Sequence, residues 1–267
     1  MSFDWAFLGH LLFHPPGSFV QGAIRTIYLA VVAQALGVAL GLLLALWRRS
    51  RHLPLRVLAG GYIWLVRGTP LLVQAVIIYD GSSALGLYSF GTLSIGPVSV
   101  PGVVQAGIVT LALNEGAYMA EIMRAAIDSV DKGQAEAAES LGMRRRQAMR
   151  HVILPQAMRV VIPPLGNEFN NMLKVTSLLS VIGLQELFLA AQDYNSATFR
   201  TFEIFLVTAV YYIVMTTAWS LVQAAIERRL QARGGDVVAT VPLRQRLFSG
   251  GPAGGPAIGA EQLRGAR

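Results

Sequence analysis

Two long apolar blocks constrain the fold of this chain more than any other feature of its sequence. Residues 27–47 form a run of 21 residues without a formal charge, and residues 204–222 form a second run of 19. At about 1.5 Å of rise per residue, a helix of either length reaches across a hydrocarbon core of about 30 Å. Because a buried helix of a soluble protein is usually shorter and carries a polar stripe, we predict that both blocks are transmembrane helices.

The composition of the whole chain also favours a membrane protein. Hydrophobic residues make up 54% of the 267 residues and charged residues only 14%, whereas about 25% of the residues in soluble domains are charged. The apolar residues cluster in five segments of membrane length, at residues 24–47, 57–79, 103–122, 160–183 and 203–224. The sequence therefore predicts an all-α fold, a multi-pass membrane helical bundle of about five transmembrane helices.

Positive charge is distributed unevenly between the predicted connectors. Of the 22 Lys and Arg residues, 18 lie in residues 48–56, in residues 124–159 and from residue 228 onward, and the alternate connectors are nearly free of them. Since cytoplasmic loops carry the excess of positive charge, we predict that the N-terminus is outside and the C-terminus is in the cytoplasm. The same charges then need no nucleic-acid partner to explain them.

The predicted domain organisation is simple. Residues 1–230 are expected to form one transmembrane domain, and residues 231–267, which include a run of Gly and Pro, are expected to form a disordered cytoplasmic tail. The connector from residue 80 to residue 102 is rich in Gly, Ser and Pro, so we predict an external loop without a fold of its own.

The longest cytoplasmic connector, about residues 129–159, carries the most informative pattern. Glu136, Ala137 and Ala138 lie in a run of good helix formers. By i, i+3, i+4 and i+7 spacing, the residues expected on one helix face are Gln134, Ala137, Ala138 and Leu141. This small, mostly apolar face suits insertion into a groove on a partner protein. Gly142 is expected to end the helix in a left-handed conformation.

A second helix is predicted after this glycine, from about Arg144, with a basic surface near the membrane. Pro155 and the pair Pro163–Pro164 are expected to break the path into the fourth predicted span. The residues alone leave two interpretations open. The segment is either a docking element for a partner protein or an amphipathic connector whose arginines contact anionic lipid headgroups.

The full spacing of this segment resembles a known family signature. Glu136-Ala137-Ala138, three further residues, Gly142, nine residues and then Val152-Ile153-Leu154-Pro155 form the pattern. It resembles the signature loop of the inner-membrane permease subunits of ATP-binding-cassette importers. The runs Arg67 to Gln74 and Ala117 to Ile122 resemble motifs of the polar amino acid permeases within that family.

Over about residues 20–230, the resemblance implies a permease subunit of an ATP-driven importer that translocates polar amino acids across the bacterial plasma membrane. The residues that it assigns to a loop docking on a separate ATPase are Glu136, Ala137, Ala138, Gly142, Leu154 and Pro155. The implied partners are two ATP-binding-cassette ATPase subunits, which bind the ATP and Mg²⁺, a second permease subunit that is the same or homologous, an external solute-binding protein and the lipid bilayer.

The sequence independently excludes ATP hydrolysis by this chain. A phosphate-binding loop of the Walker type needs a lysine directly after a glycine, and the two lysines, Lys132 and Lys174, follow Asp131 and Leu173. The chain has no cysteine, and its four histidines lack the spacing of metal ligands. We therefore predict no catalytic residue, no metal site and no bound cofactor, so that the chain is a transport subunit and not an enzyme.

Four ionisable residues interrupt the predicted second, third and fourth spans: Arg67, Glu115, Glu168 and Lys174. An ionisable group at membrane depth costs about 2.5–3.5 kcal/mol on insertion scales, so these groups are expected to face protein or a wet cavity. A translocated amino acid carries a carboxylate and an ammonium, and we predict that at least one of these four residues faces its path. The same residues also suit structural ion pairs.

An alternative from another class is an ion-gradient-driven secondary transporter or channel, which would use the same four charges as an ion path. A membrane scaffold without transport activity is a third possibility, although it would not need several buried charges. The docking segment has no use in the secondary transporter, and dependence of transport on ATP separates the first hypothesis from the other two.

Overall fold

The computed structural model describes residues 3–232, which are mostly helical. Residues 1–223 form one compact unit and residues 224–267 form a second, of which only the helical residues 224–232 are described. The predicted disordered tail, residues 231–267, therefore lies outside the described residues from residue 233 onward.

The described residues contain eleven α-helices, two short strands and three tighter or wider helical turns. The helices are α1 (Trp5–Phe13), α2 (Gly17–Arg48), α3 (Leu53–Arg67), α4 (Leu71–Val76), α5 (Ser82–Ala84), α6 (Gly102–Asp128), α7 (Lys132–Ser140), α8 (Arg145–Ala148), α9 (Leu154–Val175), α10 (Leu187–Thr198) and α11 (Thr201–Ala232). The strands are β1 (Leu93–Ile95) and β2 (Val98–Val100). Turns of π-helix cover Ile77–Gly81 and Met149–Ile153, and a 3₁₀-helix covers Thr176–Ile182.

The helices confirm a helical membrane fold. Among the described residues, two helices are long and apolar enough to cross a membrane, α2 and the part of α11 from Thr201 to Leu230. There are up to four spans if each of two bent pairs is one span, Leu53–Arg67 with Leu71–Ala84 and Arg145–Ile182 with Leu187–Thr198. α6 is about 40 Å long but more polar, and it is not among them. Five spans and their orientation stay predictions.

The second predicted span, residues 57–79, is sharply bent. α3 ends at Arg67, α4 begins at Leu71, and the two helical directions differ by 109°. Pro70 lies between them, and a proline lacks the N–H for a helical hydrogen bond and disfavours helical geometry in the preceding residue. The bend leaves the last carbonyls of α3 without helical partners at membrane depth.

The expectation that prolines break the path into the fourth span is wrong. Pro155 is the second residue of α9, where the missing N–H has no helical partner to lose. Pro163–Pro164 lies inside the same uninterrupted helix. Prolines are tolerated in membrane helices that pack against neighbouring helices, and here α11 contacts this stretch, with Gln223 donating to the Pro163 carbonyl at 3.1 Å.

α2 packs along α6, and two glycines set the distance between them. A Cβ atom at Gly37 would lie 2.5 Å from Cγ of Glu115, and one at Gly41 would lie 2.4 Å from Cβ of Met119. Small residues spaced by four allow the backbones of membrane helices to approach closely. The Gly37-x3-Gly41 spacing of the first apolar block is therefore a packing surface for α6.

The connectors on the side of the N-terminus contain more structure than predicted. Residues 80–102 include the antiparallel hairpin β1–β2, in which Ile95 pairs with Val98. Its two-residue turn begins with Gly96 at φ 58°, a conformation that glycine adopts at little cost. This hairpin departs from the all-α prediction, and α10 lies between the fourth and fifth predicted spans.

α1, which precedes the first predicted span, is held by charges at its first residues. The carboxylate of Asp4 accepts a hydrogen bond from the backbone N–H of Phe7 at 2.9 Å and forms an ion pair with Arg200. The backbone N–H of Asp4 donates to the carboxylate of Glu203 at 3.1 Å. The hydrogen bond from Phe7, followed by the contact with Arg200, lowers the pKa of Asp4.

Candidate functional site

Glu115 is the middle residue of α6, and its carboxylate is buried between α6 and α2. Its side chain is only 4% exposed, and Nε2 of Gln34 donates a hydrogen bond to it at 2.7 Å. The other amide atom, Oε1 of Gln34, is buried and accepts no hydrogen bond from the described residues. The contact between Gly37 and Glu115 explains why α2 has no side chain at that position.

A second polar side chain, Gln74 of α4, forms hydrogen bonds with backbone groups at the bend between α3 and α4. Its Nε2 donates to the carbonyl of Val66 at 2.7 Å, to the carbonyl of Thr69 at 3.1 Å and to the hydroxyl of Thr69 at 2.9 Å. Thr69 in turn donates to the carbonyl of Leu65 at 2.9 Å. These contacts satisfy backbone groups that would otherwise be orphaned in the membrane.

Gln74 also connects the bend to α6. Nδ2 of Asn114 donates to Oε1 of Gln74 at 3.0 Å, and the next residue of α6 is Glu115. Polar side chains therefore lie in succession from the bend through the centre of α6 to α2. We call Gln34, Gln74, Asn114 and Glu115 the polar network.

Arg67 and Glu168 border this polar network. The guanidinium of Arg67 lies over the ring of Tyr118, with its Cζ atom 5.2 Å from the ring centroid. Glu168 of α9 is half-buried and interacts electrostatically with both Arg67 and Glu115. The structure thus brings together three of the four charges that the sequence analysis selected, and they come from three different segments.

Lys174 does not join this group. It lies six residues after Glu168, which is about 9 Å further along α9 and on a different helix face. Its side chain is exposed and forms no ion pair with an acidic residue in the part of the chain that the structure describes. Nothing here relates the lysine to the polar network.

Three members of the network, Gln34, Gln74 and Asn114, were not identified as site residues from the sequence. An uncharged amide in a long apolar block is a weak signal, because single polar residues are common in membrane helices. Gln34 gains its importance from Glu115, 81 residues away in the chain. Gln74 is important because it bonds carbonyls at a bend whose angle the sequence does not specify. In residues 3–232, no group of three or more acidic or histidine side chains is arranged to hold a metal ion.

Five charged side chains join the ends of α2 and α6 next to the predicted docking segment. They are Arg48, Arg49, Glu121, Arg124 and Asp128. Arg124 contacts Glu121 at 2.9 Å and Asp128 at 3.0 Å, while Arg48 lies 3.8 Å from Glu121 and Arg49 pairs with Asp128. The pair of Glu121 and Arg124 is thus part of a larger group of charges, in which contact with Glu121 raises the pKa of Arg124.

The predicted docking segment forms a short helix with defined ends. α7 begins after Asp131, whose carboxylate accepts a hydrogen bond from the backbone N–H of Gly133 at 2.6 Å. At the other end, Gly142 has φ 80°, which confirms the predicted left-handed conformation. The N–H of Gly142 donates to the carbonyl of Glu139 at 2.9 Å and that of Met143 to Ala138 at 3.1 Å, a Schellman motif.

The residues predicted to share one face of α7 differ in their burial in the structure. Ala138 is buried, whereas Glu136, Ala137 and Leu141 are exposed, and Leu141 is 80% exposed. α7 therefore packs against this chain through Ala138 and presents a large apolar side chain at its end.

α7 is also linked to the helix that follows it. Nε2 of Gln156 donates to Oε1 of Gln134 at 3.3 Å and to the carbonyl of Val152 at 3.0 Å. Leu154 and Pro155 form the first turn of α9, and the helical path runs on through Glu168. One continuous helix, α9, thus connects the segment to Glu168 at the border of the polar network.

Comparison with protein families places the chain clearly. Residues 37–232 match the family described as "Binding-protein-dependent transport system inner membrane component". The chain is 36% identical to the probable glutamine ABC transporter permease protein GlnM of Bacillus subtilis (strain 168), over 83% of this chain and 97% of that protein. It is also 36% identical to the glutamine transport system permease protein GlnP of Escherichia coli (strain K12), over 86% of this chain and 99% of that protein.

A solved structure supports the same relationship. It is described as the crystal structure of an amino acid ABC transporter with histidines, and one of its chains is 42% identical to this chain. The match covers 86% of this chain and 100% of that chain, with a TM-score of 0.74. Both the sequence and the fold of this chain are therefore similar to those of a subunit of such a transporter.

Proposed function

Because this chain belongs to the family of binding-protein-dependent transport system inner membrane components and is a permease subunit of an amino acid ABC transporter, we propose a specific transport mechanism. In this mechanism, polar amino acids move along the polar network while a separate ATPase acts on α7. The resemblance found in the sequence is thereby confirmed at the level of the family and of the inner membrane location. Membership of this family removes the support for an ion-gradient-driven transporter and for a scaffold.

The proposed ATPase contact is the end of α7. Its exposed surface includes Glu136, Ala137 and Leu141, and the left-handed turn at Gly142 reverses the chain directly behind that surface. Two ATP-binding-cassette subunits, each with bound ATP and Mg²⁺, would contact this segment in two permease subunits, which are the same or homologous. The amphipathic interpretation is less well supported, because α7 is short and presents Leu141 beyond its last turn.

Coupling is proposed to pass from α7 into α9. α7 is anchored through the buried Ala138 and through the hydrogen bond between Gln134 and Gln156. Movement of α7 would therefore displace the first turn of α9, which contains Leu154 and Pro155. Since α9 carries Glu168, this displacement would change the position of a charge at the edge of the polar network.

The polar network provides complementary groups for a polar amino acid. Stripping water from a carboxylate or an ammonium costs several kcal/mol unless opposite charges or hydrogen bonds replace it. Arg67 can bind the carboxylate, whereas Glu168 can accept hydrogen bonds from the ammonium. Oε1 of Gln34, which has no hydrogen-bond partner among residues 3–232, is a further acceptor. The placement of the cation Arg67 and the anion Glu168 at the border of the polar network is the observation that carries the proposal.

Two relatives are named as glutamine permeases, and the solved transporter is described as one for amino acids. A polar amino acid is accordingly the proposed substrate class. An external solute-binding protein would deliver it on the side of the N-terminus, which the charge distribution assigns to the outside. Because the chain lacks cysteine, single cysteines at Ser94 and Ser140 test this orientation. An impermeant maleimide should label the first only from outside and the second only from inside.

The path is tested by neutralising each charge in the assembled transporter reconstituted in proteoliposomes. The variants are Arg67→Gln, Glu115→Gln, Glu168→Gln and Lys174→Gln. ATP-driven uptake and ATPase activity stimulated by the loaded binding protein are measured together. Arg67→Gln and Glu168→Gln should lower uptake or change substrate preference at normal protein yield, whereas Lys174→Gln, outside the network, serves as the matched control.

Two outcomes would contradict the proposal. If Arg67→Gln, Glu115→Gln and Glu168→Gln all transport the same substrate at the rate of wild type, the path does not use these charges. If Arg67→Gln loses protein yield and a second neutralisation at Glu168 restores it, the two residues form a structural ion pair instead. Loss of uptake in Lys174→Gln alone would move the path to the far end of α9.

A further inference from the structure

A cavity of about 540 Å³ lies at the end of α2 nearest the N-terminus, away from the polar network. Its walls come from α2, from the β1–β2 hairpin, from the start of α6 and from the turn after the 3₁₀-helix. Representative lining residues are Arg25, Tyr28, Ser99, Val104, Leu184 and Gln185. The volume falls within the range of about 300–1,000 Å³ that is typical of ligand sites, and the lining is mostly apolar.

The cavity opens beside a surface that faces lipid. Arg25 lies eight residues from the start of α2, or about 12 Å along the helix, near the start of the predicted span at residue 24. The neighbouring side chains of Ile24, Ile27 and Val31 are exposed along the same helix. Since α2 is long and apolar enough to cross a membrane, we expect these side chains to contact acyl chains and Arg25 to lie near the level where acyl chains meet headgroups.

Arg25 lies at the rim of the cavity, where its guanidinium is exposed and can bind an anion. Its Nη1 donates to the backbone carbonyl of Gln185 at 3.1 Å, and the side chain remains exposed. Within residues 3–232 no carboxylate lies at ion-pair distance from it, whereas Arg48, Arg49 and Arg200 each have an acidic partner. An exposed cation above an apolar cavity matches a molecule with an anionic head and a hydrocarbon tail.

We propose that this cavity binds one acyl chain of a phospholipid from the leaflet on the N-terminal side of α2, with the phosphate of the lipid on Arg25. An amino acid suits the cavity poorly, because its ammonium would lose water to mostly apolar walls whose lining residues include no carboxylate. Bound lipid would fill the space between the hairpin, α2 and the start of α6, which form walls of the cavity. The proposal is independent of the path through the polar network.

The test is lipid binding by the purified, delipidated transporter, measured by native mass spectrometry during titration with 1-palmitoyl-2-oleoyl-phosphatidylglycerol. Arg25→Gln removes the headgroup contact, and Ser99→Trp fills the cavity from an exposed position on the hairpin. Arg51→Gln, an exposed arginine outside the cavity, and Thr92→Trp, an exposed residue outside the lining, are the matched controls.

We expect wild type to retain one lipid per chain that Ser99→Trp excludes. Arg25→Gln should weaken the apparent affinity by about ten-fold, as expected for the loss of a charge-assisted contact, and both controls should bind as wild type does. Equal losses in Arg25→Gln and Arg51→Gln would overturn the proposal, as would unchanged binding in Ser99→Trp. Displacement of the lipid by inorganic phosphate would make the site one for anions. Loss of the permease pair in Ser99→Trp, with lipid retained, would assign the cavity to a second copy of the chain.

Discussion

Adding a single methyl group at Gly37 is expected to force α2 and α6 apart. In Gly37→Ala the new Cβ would lie 2.5 Å from Cγ and 2.6 Å from Cβ of Glu115, whereas carbon atoms pack best at about 3.5–4.0 Å. The helices must therefore separate by about 1 Å at this point. The separation also weakens the contact one turn further on, where Gly41 meets Met119.

The magnitude follows from two opposing effects. Overpacking of this kind costs about 1–3 kcal/mol, while replacing a helical glycine by alanine gains about 1 kcal/mol through helix propensity. Gly61 of α3 measures the second effect alone, since a Cβ there would have nothing within 4 Å. A chain of this size changes its melting temperature by roughly 2–4 °C per kcal/mol, so Gly37→Ala should melt several degrees below Gly61→Ala.

The assay is thermal unfolding of the purified transporter in detergent. Removing the clashing atoms should restore stability, so Glu115→Gly is combined with Gly37→Ala and the coupling energy is taken from the double-mutant cycle. We expect the double variant to be less destabilised than the sum of the single variants. If Gly37→Ala is as stable as Gly61→Ala, the close packing of α2 on α6 is refuted.

Two further predictions concern the N-terminal helix and the arginine at the bend. The N–H of Phe7 and Arg200 hold the pKa of Asp4 below 3.8. The stabilisation of α1 by the Asp4 carboxylate is therefore present above about pH 4 and is lost as the pH falls through the lowered pKa. Limited proteolysis should release α1 in acid, and Asp4→Asn should abolish this pH dependence. Tyr118→Leu removes the ring beneath Arg67 and should lower stability by about 0.5–1 kcal/mol, whereas Tyr118→Phe keeps the ring and should match wild type in the same melting assay.

The sequence predicts the features that depend on local chemistry. The left-handed turn at Gly142 is confirmed, because glycine is the residue that adopts such a conformation at least cost. The cost of isolated charge in a membrane likewise explains why Arg67, Glu115 and Glu168 are brought together. Each of these predictions needs only the properties of one residue type and the low polarity of lipid.

Other features depend on contacts between distant residues. Pro163–Pro164 was expected to interrupt a helix, but side chains of α11 bind the α9 backbone and the helix continues. Lys174 was selected with the other charges, although its separation from Glu168 along α9 takes it to another face. Gln34 could not be selected, because its partner Glu115 lies 81 residues away.

The most direct test of the account measures the number of amino acids imported per ATP hydrolysed. Gly142→Asp places a side chain at φ 80°, next to the proposed ATPase contact, and Gly86→Asp places the same side chain at φ 64° in the connector of residues 80–102. Neither Cβ meets an atom within 4 Å, so the two variants carry a similar backbone strain of about 1 kcal/mol or more. We predict that Gly142→Asp inserts normally but imports several-fold fewer amino acids per ATP, while Gly86→Asp keeps the ratio of wild type. An equal ratio in the two variants would contradict coupling through α7.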